Sequence, residues 1–228
     1  MTSVSLTYSE LVRLLKVFVY ATLGMAAAIA AVRTLLGASF LAVVLPSISV
    51  SILVVTLLLG VLSRASWTSS RFEKWLSRPI VHGLWWGAIR TDYRPAGEAS
   101  VAPIPIAFVI RQSYFFLSIQ SFTKNQPARS TLEALRKDEK TSDAHLSYVF
   151  EMRRLAYAEN KLTTGYGEMI LQDSGRILVG DYWTNSPTQG RLELELVSRD
   201  CDDVNSFAVA ERKWQEKQAL RAKSAPAS

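Results

Sequence analysis

Residue types that enzymes commonly use are scarce in this sequence. It has one cysteine, Cys201, and only two histidines, His82 and His145, in different segments. A single cysteine rules out an internal disulfide framework and fits a reducing compartment. Neither histidine has Cys, His or carboxylate neighbours at the spacing of a zinc site, which argues against metal-assisted hydrolysis. There is no G-x-S-x-G elbow, no Walker loop and no G-x-G-x-x-G following a strand. The expectation is a protein that is not an enzyme, with no catalytic residue, no metal and no cofactor.

Charge is also missing over two long stretches. No charged residue lies between Lys16 and Arg33, and none between Arg33 and Arg64. A bilayer core of ~30 Å is crossed by about 20 apolar helical residues. The second run meets that length alone. The first meets it with Leu11, Leu14 and Leu15, while Lys16 and Arg33 reach toward the interface. A cleaved signal peptide shares the basic flank and Ala-rich end, but the second run follows at once, so the pair reads as a transmembrane hairpin over residues 1–63. Arg13 and Lys16 before it, and Arg64, Arg71, Lys74 and Arg78 after it, place both termini in the cytoplasm by the positive-inside rule.

The first 63 residues hold three basic side chains against one acidic, which leaves +4 of the net +6 to the remainder. That mild excess suits an anionic membrane surface or a small anionic ligand. It is too weak for a nucleic acid polymer.

Local signals divide the chain further. Thr7-Tyr-Ser-Glu10 has the form of a capping box and starts a helix running to about Leu35. Gly37-Ala-Ser39 makes a turn, and a second helix ends near Ser63, with Pro46 either in its first turn or inside it. Gly24, Ala27, Ala28 and Ala31 form small faces on helix one, matched by Ser47 and Ser51 on helix two. Such faces allow close helix approach, either within the hairpin or between protomers of a homo-oligomer. Residues 64–82 mix Trp67, Phe72 and Trp75 with basic side chains, the composition of a surface-lying amphipathic linker.

From residue 83 to 200 the pattern turns to short strands: Gly83 onward, Ile104–Gln112, Tyr114–Phe122, Leu146–Met152, Gly165–Leu171, Arg176–Thr184 and Arg191–Val197. The last alternates Leu192, Leu194 and Leu196 against Arg191, Glu193 and Glu195. Six to eight such strands imply a small antiparallel barrel or sandwich, with barrel closure removing exposed edges. Residues 124–143 are highly charged and read as a short helix or loop. Residues 201–228 read as a helix and a disordered tail.

Near the strand ends lie aromatic and hydrogen-bonding residues suited to a small ligand: Gln112, Arg129, Ser130, Tyr148, Tyr182, Thr184, Asn185, Thr188 and Arg191. Aromatic rings stack on bases, arginine meets phosphate, and hydroxyls and amides read base edges. Each taken alone is also an ordinary core, turn or surface residue.

The order of parts carries a resemblance. A two-helix hairpin is followed by Arg78-Pro79, Gly83-x-Trp85-x-Gly87, Ile110-Arg-Gln112 and Leu146-Ser-Tyr148-Val-Phe150. Then come Gly165-Tyr-Gly167-x-x-x-Leu171, Leu178-Val-Gly180-Asp-Tyr182-Trp-Thr184 and Thr188-x-Gly190-Arg191. This resembles the two-transmembrane minimal β-barrel effectors of bacterial CBASS anti-phage systems, over nearly all of residues 10–198. The resemblance implies an eight-stranded cytoplasmic barrel on a bacterial inner-membrane hairpin. It implies a cyclic dinucleotide ligand supplied by a partner CD-NTase, and self-association that disrupts the membrane in abortive infection. Tyr182, Thr184 and Thr188 match the family's late hairpin and are expected near the ligand; Gly83, Trp85 and Gly87 are expected to be structural. The extension past residue 200 is longer than the family core requires. The competing expectations are a membrane-anchored, lipocalin-like module for a lipid or apolar metabolite and a scaffold whose barrel binds another protein.

Overall fold

The computed structural model describes residues 3–37, 39–65, 67–68, 73, 78–93, 101–138, 140–141, 143–153, 162–186 and 188–224. It divides the chain into two compact units. One holds Leu6–Ala65, and the other holds the residues up to Ser5 together with those from Ser66 onward.

The first unit is a pair of helices packed side by side, α1 (Tyr8–Leu35) and α2 (Phe40–Arg64). The expected capping box starts α1. The Glu10 amide donates to the Thr7 hydroxyl at 3.4 Å, and the Thr7 amide donates to Glu10 Oε2 at 2.8 Å, which satisfies two otherwise orphaned donors. At 1.5 Å per residue, the 28 residues of α1 span about 42 Å. Among the described residues α1 is the one helix long and apolar enough to cross a membrane; the apolar stretch of α2, Leu45–Val61, is shorter. Pro46 lies inside α2.

The small faces separate. Ser47, Ser51 and Val55 of α2 are buried, as are Leu14 and Ala26 of α1. Gly24, Ala27, Ala28 and Ala31 are all exposed. Helix α1 therefore packs through Leu14 and Ala26, and the expectation that its Gly24–Ala31 face closes the hairpin is not met.

The second unit is built on eight antiparallel strands: β2 (Gly83–Thr91), β3 (Ile104–Gln112), β4 (Phe116–Phe122), β5 (Pro127–Lys137), β6 (Ala144–Arg153), β7 (Leu162–Gln172), β8 (Ile177–Thr184) and β9 (Gln189–Ser198). Each pairs with the next in sequence, and β9 pairs back onto β2, so the meander closes into a barrel. A two-residue strand β1 (Ser3–Val4) adds to β4. Alternation sends Trp85, Phe108, Ile110, Leu135, Leu146, Met169, Leu178, Leu192 and Leu194 into one interior core. Gly87 is required here because a Cβ would overlap the Glu193 carbonyl of β9.

Strand β5 corrects the helix-or-loop reading of residues 124–143. Ala128, Glu133 and Leu135 are buried, and Arg129, Arg136 and Lys137 face out. A register shift between Ser130 and Leu132 breaks the two-residue period, which hid the strand in the sequence.

The C-terminal extension is part of this unit. Helix α3 (Phe207–Ser224) lies on the outside of the barrel, where Leu84, Trp86, Ala107 and Val109 pack with Val204, Phe207, Ala210 and Trp214. Trp86 and Trp214 stack at 6.3 Å, and Lys217 donates to Glu195 at 2.8 Å.

One end of the barrel is plugged. Arg78, fully buried, donates to Ser5 Oγ at 2.7 Å and stands over the Tyr114 ring at 5.7 Å. Trp67, only 3% exposed, donates its ring nitrogen to the Arg78 carbonyl and its amide to the Gln112 carbonyl. That corrects the surface placement of Trp67; Phe72 and Trp75 lie outside the described residues.

Candidate functional site

The other end of the barrel is open and leads to a cavity of about 400 Å³. It forms because β2, β6, β8 and their neighbours bring inward-facing residues to the same level. Ile89, Ile106, Phe108, Phe150, Met152 and Leu192 give it apolar walls. Thr91, Ser121, Thr123, Asn125, Gln126, Thr184 and Thr188 give it hydroxyls and amides. Tyr93, Tyr148 and Tyr182 offer both a ring and a hydroxyl. Among the described residues, no Asp, Glu, Lys or Arg lines it.

Two aromatic–glycine pairs shape one wall. Phe150 sits opposite Gly165 and Tyr148 opposite Gly167. A Cβ at either glycine would overlap the facing ring, so Gly165-Tyr-Gly167 clears space for aromatic faces. Phe108 meets Tyr148 edge to face at 5.8 Å and 87°.

The Tyr148 and Tyr182 phenols stay neutral. Burial pushes the Tyr148 hydroxyl well above its ordinary value, and the nearby Tyr182 adds to that. Burial raises Tyr182 as well, against a hydrogen bond with Thr91 that lowers it, with Asp92 adding to the rise. The cavity therefore presents uncharged rings, hydroxyls and amides, chemistry suited to flat heterocycles with polar edges.

Of the nine residues expected at a ligand site, four converge here: Tyr148, Tyr182, Thr184 and Thr188. The Thr184 and Thr188 hydroxyls are 2.8 Å apart, and the Thr184 amide donates to the Thr188 carbonyl at 3.0 Å. Asn185 holds the rim instead. Its amide donates to the Thr164 carbonyl at 2.9 Å, and its Oδ1 accepts from the Thr164 amide at 3.1 Å.

The remaining four lie elsewhere. Gln112 is buried at the plugged end, where its Oε1 accepts from the Val81 and His82 amides and its Nε2 donates to the Pro79 carbonyl. Ser130 faces inward but is taken up by the Ile119 backbone, at 2.8 and 3.0 Å, and by Glu133. Arg129 and Arg191 are exposed on the outer wall. For these four the structure gives positions outside the cavity lining. Their sequence signal, a polar residue near a strand end, does not distinguish inward from outward.

The residues missed in the sequence are chiefly apolar: Ile89, Ile106, Phe108, Phe150, Met152 and Leu192. Their alternation marks them as inward-facing but gives no hint that the barrel leaves a space beside them.

A cysteine–histidine pair also exists. Cys201 Sγ stands 3.9 Å from His82 Nε2, yet burial pushes the thiol up to about 11. A thiol so raised is a poor nucleophile. His82 Nδ1 accepts from the Gln112 amide at 3.1 Å, so the imidazole fastens the plug. Among the described residues no group of three His, Cys, Asp or Glu side chains could hold a metal ion.

A scan against protein-family models finds no match for this chain, and a search of curated proteins finds none either.

Proposed function

We propose that this chain is a membrane-anchored ligand sensor whose barrel mouth takes a base of a cyclic dinucleotide. Ligand binding shifts the protein toward self-association, and the helices then disrupt a bacterial inner membrane during phage infection. The observation that carries the reading is the convergence of Tyr148, Tyr182, Thr184 and Thr188 in one open, ring-lined cavity. Tyr182, Thr184 and Thr188 are the residues that the resemblance to CBASS effectors expects near the ligand, and the chemistry of base recognition adds Tyr148.

The cavity volume, near the low end of the ~300–1,000 Å³ range for small-molecule sites, fits a base better than a whole dinucleotide. Aromatic stacking contributes about 1–3 kcal/mol per base, and threonine and amide side chains meet the base edges. The phosphates then remain at the wet mouth, where their solvation is retained. The long apolar α1 supports the anchor, and α2 completes the proposed two-helix crossing, with both termini cytoplasmic.

A second reading rests on a specific observation: the absence of a charged side chain among the described cavity residues favours an apolar metabolite or lipid, held as in a lipocalin. A thermal-shift screen of the full-length protein in detergent separates the two. Stabilisation by a cyclic di- or trinucleotide supports the first reading. Stabilisation by apolar probes alone supports the second and defeats the first.

A further inference from the structure

The outer wall of a closed barrel in water is ordinarily polar, since inward residues already supply the core. Across four neighbouring strands one row of this wall is apolar. Leu132 pairs with Val149, Val149 with Tyr166, and Tyr166 with Trp183. One outward residue from each of β5, β6, β7 and β8 thus falls in a single row. Leu132 and Trp183 are 59% and 57% exposed, and the Tyr166 and Trp183 rings lie 6.0 Å apart. At the ~4.8 Å spacing of strands, the row spans about 15 Å.

The irregularity in β5 creates this row. Unbroken alternation from Ala128 and Ser130 would turn Leu132 inward. The register shift turns Leu132 out and Glu133 in, leaving Glu133 7% exposed. For an isolated copy, exposing a leucine to water is unfavourable. Covering Leu132 with a partner offsets that cost.

The flanking rows identify the partner. Arg129 pairs across strands with Glu151 on one side; on the other, Glu168 pairs with Asp181 and Asp181 with Arg191. The rim therefore carries both signs, two basic side chains (Arg129, Arg191) against three acidic ones (Glu151, Glu168, Asp181), with no basic excess. Anionic headgroups or a nucleic acid backbone need a basic surface, which this rim does not provide. An identical copy needs a surface that does not repel itself although the chain carries +6, and paired charges meet that need. Because the barrel is closed, its strands leave no free edge from β5 to β8, so contact must be face to face.

We infer that the Leu132–Val149–Tyr166–Trp183 row is the centre of an isologous contact between two copies of this chain, with the paired charges as its rim. The inference rests on the self-association in the reading above and places it on the barrel wall.

Cysteine cross-linking of the full-length protein in detergent tests it. Cys201 is buried and its thiol is held up, so it adds no background. Trp183→Cys and Leu132→Cys are compared with Arg212→Cys on the exposed side of α3, where the side chain is 66% accessible. Under mild oxidation the first two give covalent dimer severalfold above the third. Trp183→Asp lowers the particle mass measured by light scattering and leaves the melting temperature unchanged. Dimer yields at 183 and 132 no higher than at 212, or an unchanged mass for Trp183→Asp, overturn the inference. Ligand-driven growth that persists in Trp183→Asp defeats this face and leaves the ligand reading intact. Failure of any cyclic nucleotide to bind defeats the ligand reading and leaves the cross-linking result standing.

Discussion

The Tyr148 ring occupies the space that a side chain at Gly167 would fill, with Cζ, Oη and Cε1 all within overlap distance of a Cβ built there. The two residues are direct partners across β6 and β7, so the glycine exists for the ring. Gly167→Ala forces the ring off its position and destabilises the barrel by about 1–3 kcal/mol, the usual range for overpacking. Thermal unfolding measures the loss. The Gly167→Ala/Tyr148→Ala double variant recovers part of it, whereas strictly additive losses would contradict the pairing.

Stability falls in mild acid because of His82. Burial holds this imidazole below its ordinary 6.5, and the opposing pull of Asp202 is smaller. Between the folded-state value and 6.5, the unfolded chain binds more protons than the folded one, so acid favours unfolding. The contribution is complete above pH 6.5 and is lost as the pH falls through the lowered value. Melting temperatures taken from neutral to mildly acidic pH show the decline, and His82→Gln flattens it while lowering stability throughout. An unchanged slope in the variant contradicts the assignment.

Helix α3 is a structural cover. Trp214→Ala removes the ring stacked on Trp86 and destabilises the barrel by about 2–4 kcal/mol, allowing for its partial exposure. Denaturant unfolding followed by tryptophan fluorescence reads it. A shift within experimental error would mean that the helix is dispensable.

The exposed face of α1 gives a fourth expectation. Beyond the neighbouring residues and backbone of its own helix, nothing lies within 4 Å of where a Cβ at Gly24 would stand, so Gly24→Leu leaves the helix pair folded. If this face meets other copies in the membrane, the variant keeps ligand binding and loses toxicity in expressing cells. Undiminished toxicity would remove Gly24, Ala27, Ala28 and Ala31 from the account.

How much of this was legible in the sequence depends on how local the signal is. The Thr7–Glu10 cap and the alternating leucines of β9 depend on neighbours in the chain, and both appear as read. Strand β5 was hidden because its bulge breaks the period and its charges resemble those of a solvated loop. Gln112 looked like a binding residue because polarity near a strand end does not reveal whether the partner is a ligand or the backbone at residues 79–82. Phe108 and Leu192 looked like plain core, since a cavity depends on which inward volumes fail to meet across the barrel. Tyr148, Tyr182, Thr184 and Thr188 line the cavity as inward-facing residues of β6, β8 and the loop after β8, and their rings and hydroxyls marked them as candidates in the sequence without showing which way they face.

The most direct test of the central claim is a thermal-shift titration of the full-length protein in detergent against a panel of cyclic dinucleotides. One member is expected to stabilise the wild type, by about 2.7 kcal/mol at a hundredfold excess over its Kd. Tyr182→Phe and Thr188→Val fold normally but need more ligand for the same shift. No shift with any member, or an equal shift in both variants, would contradict it.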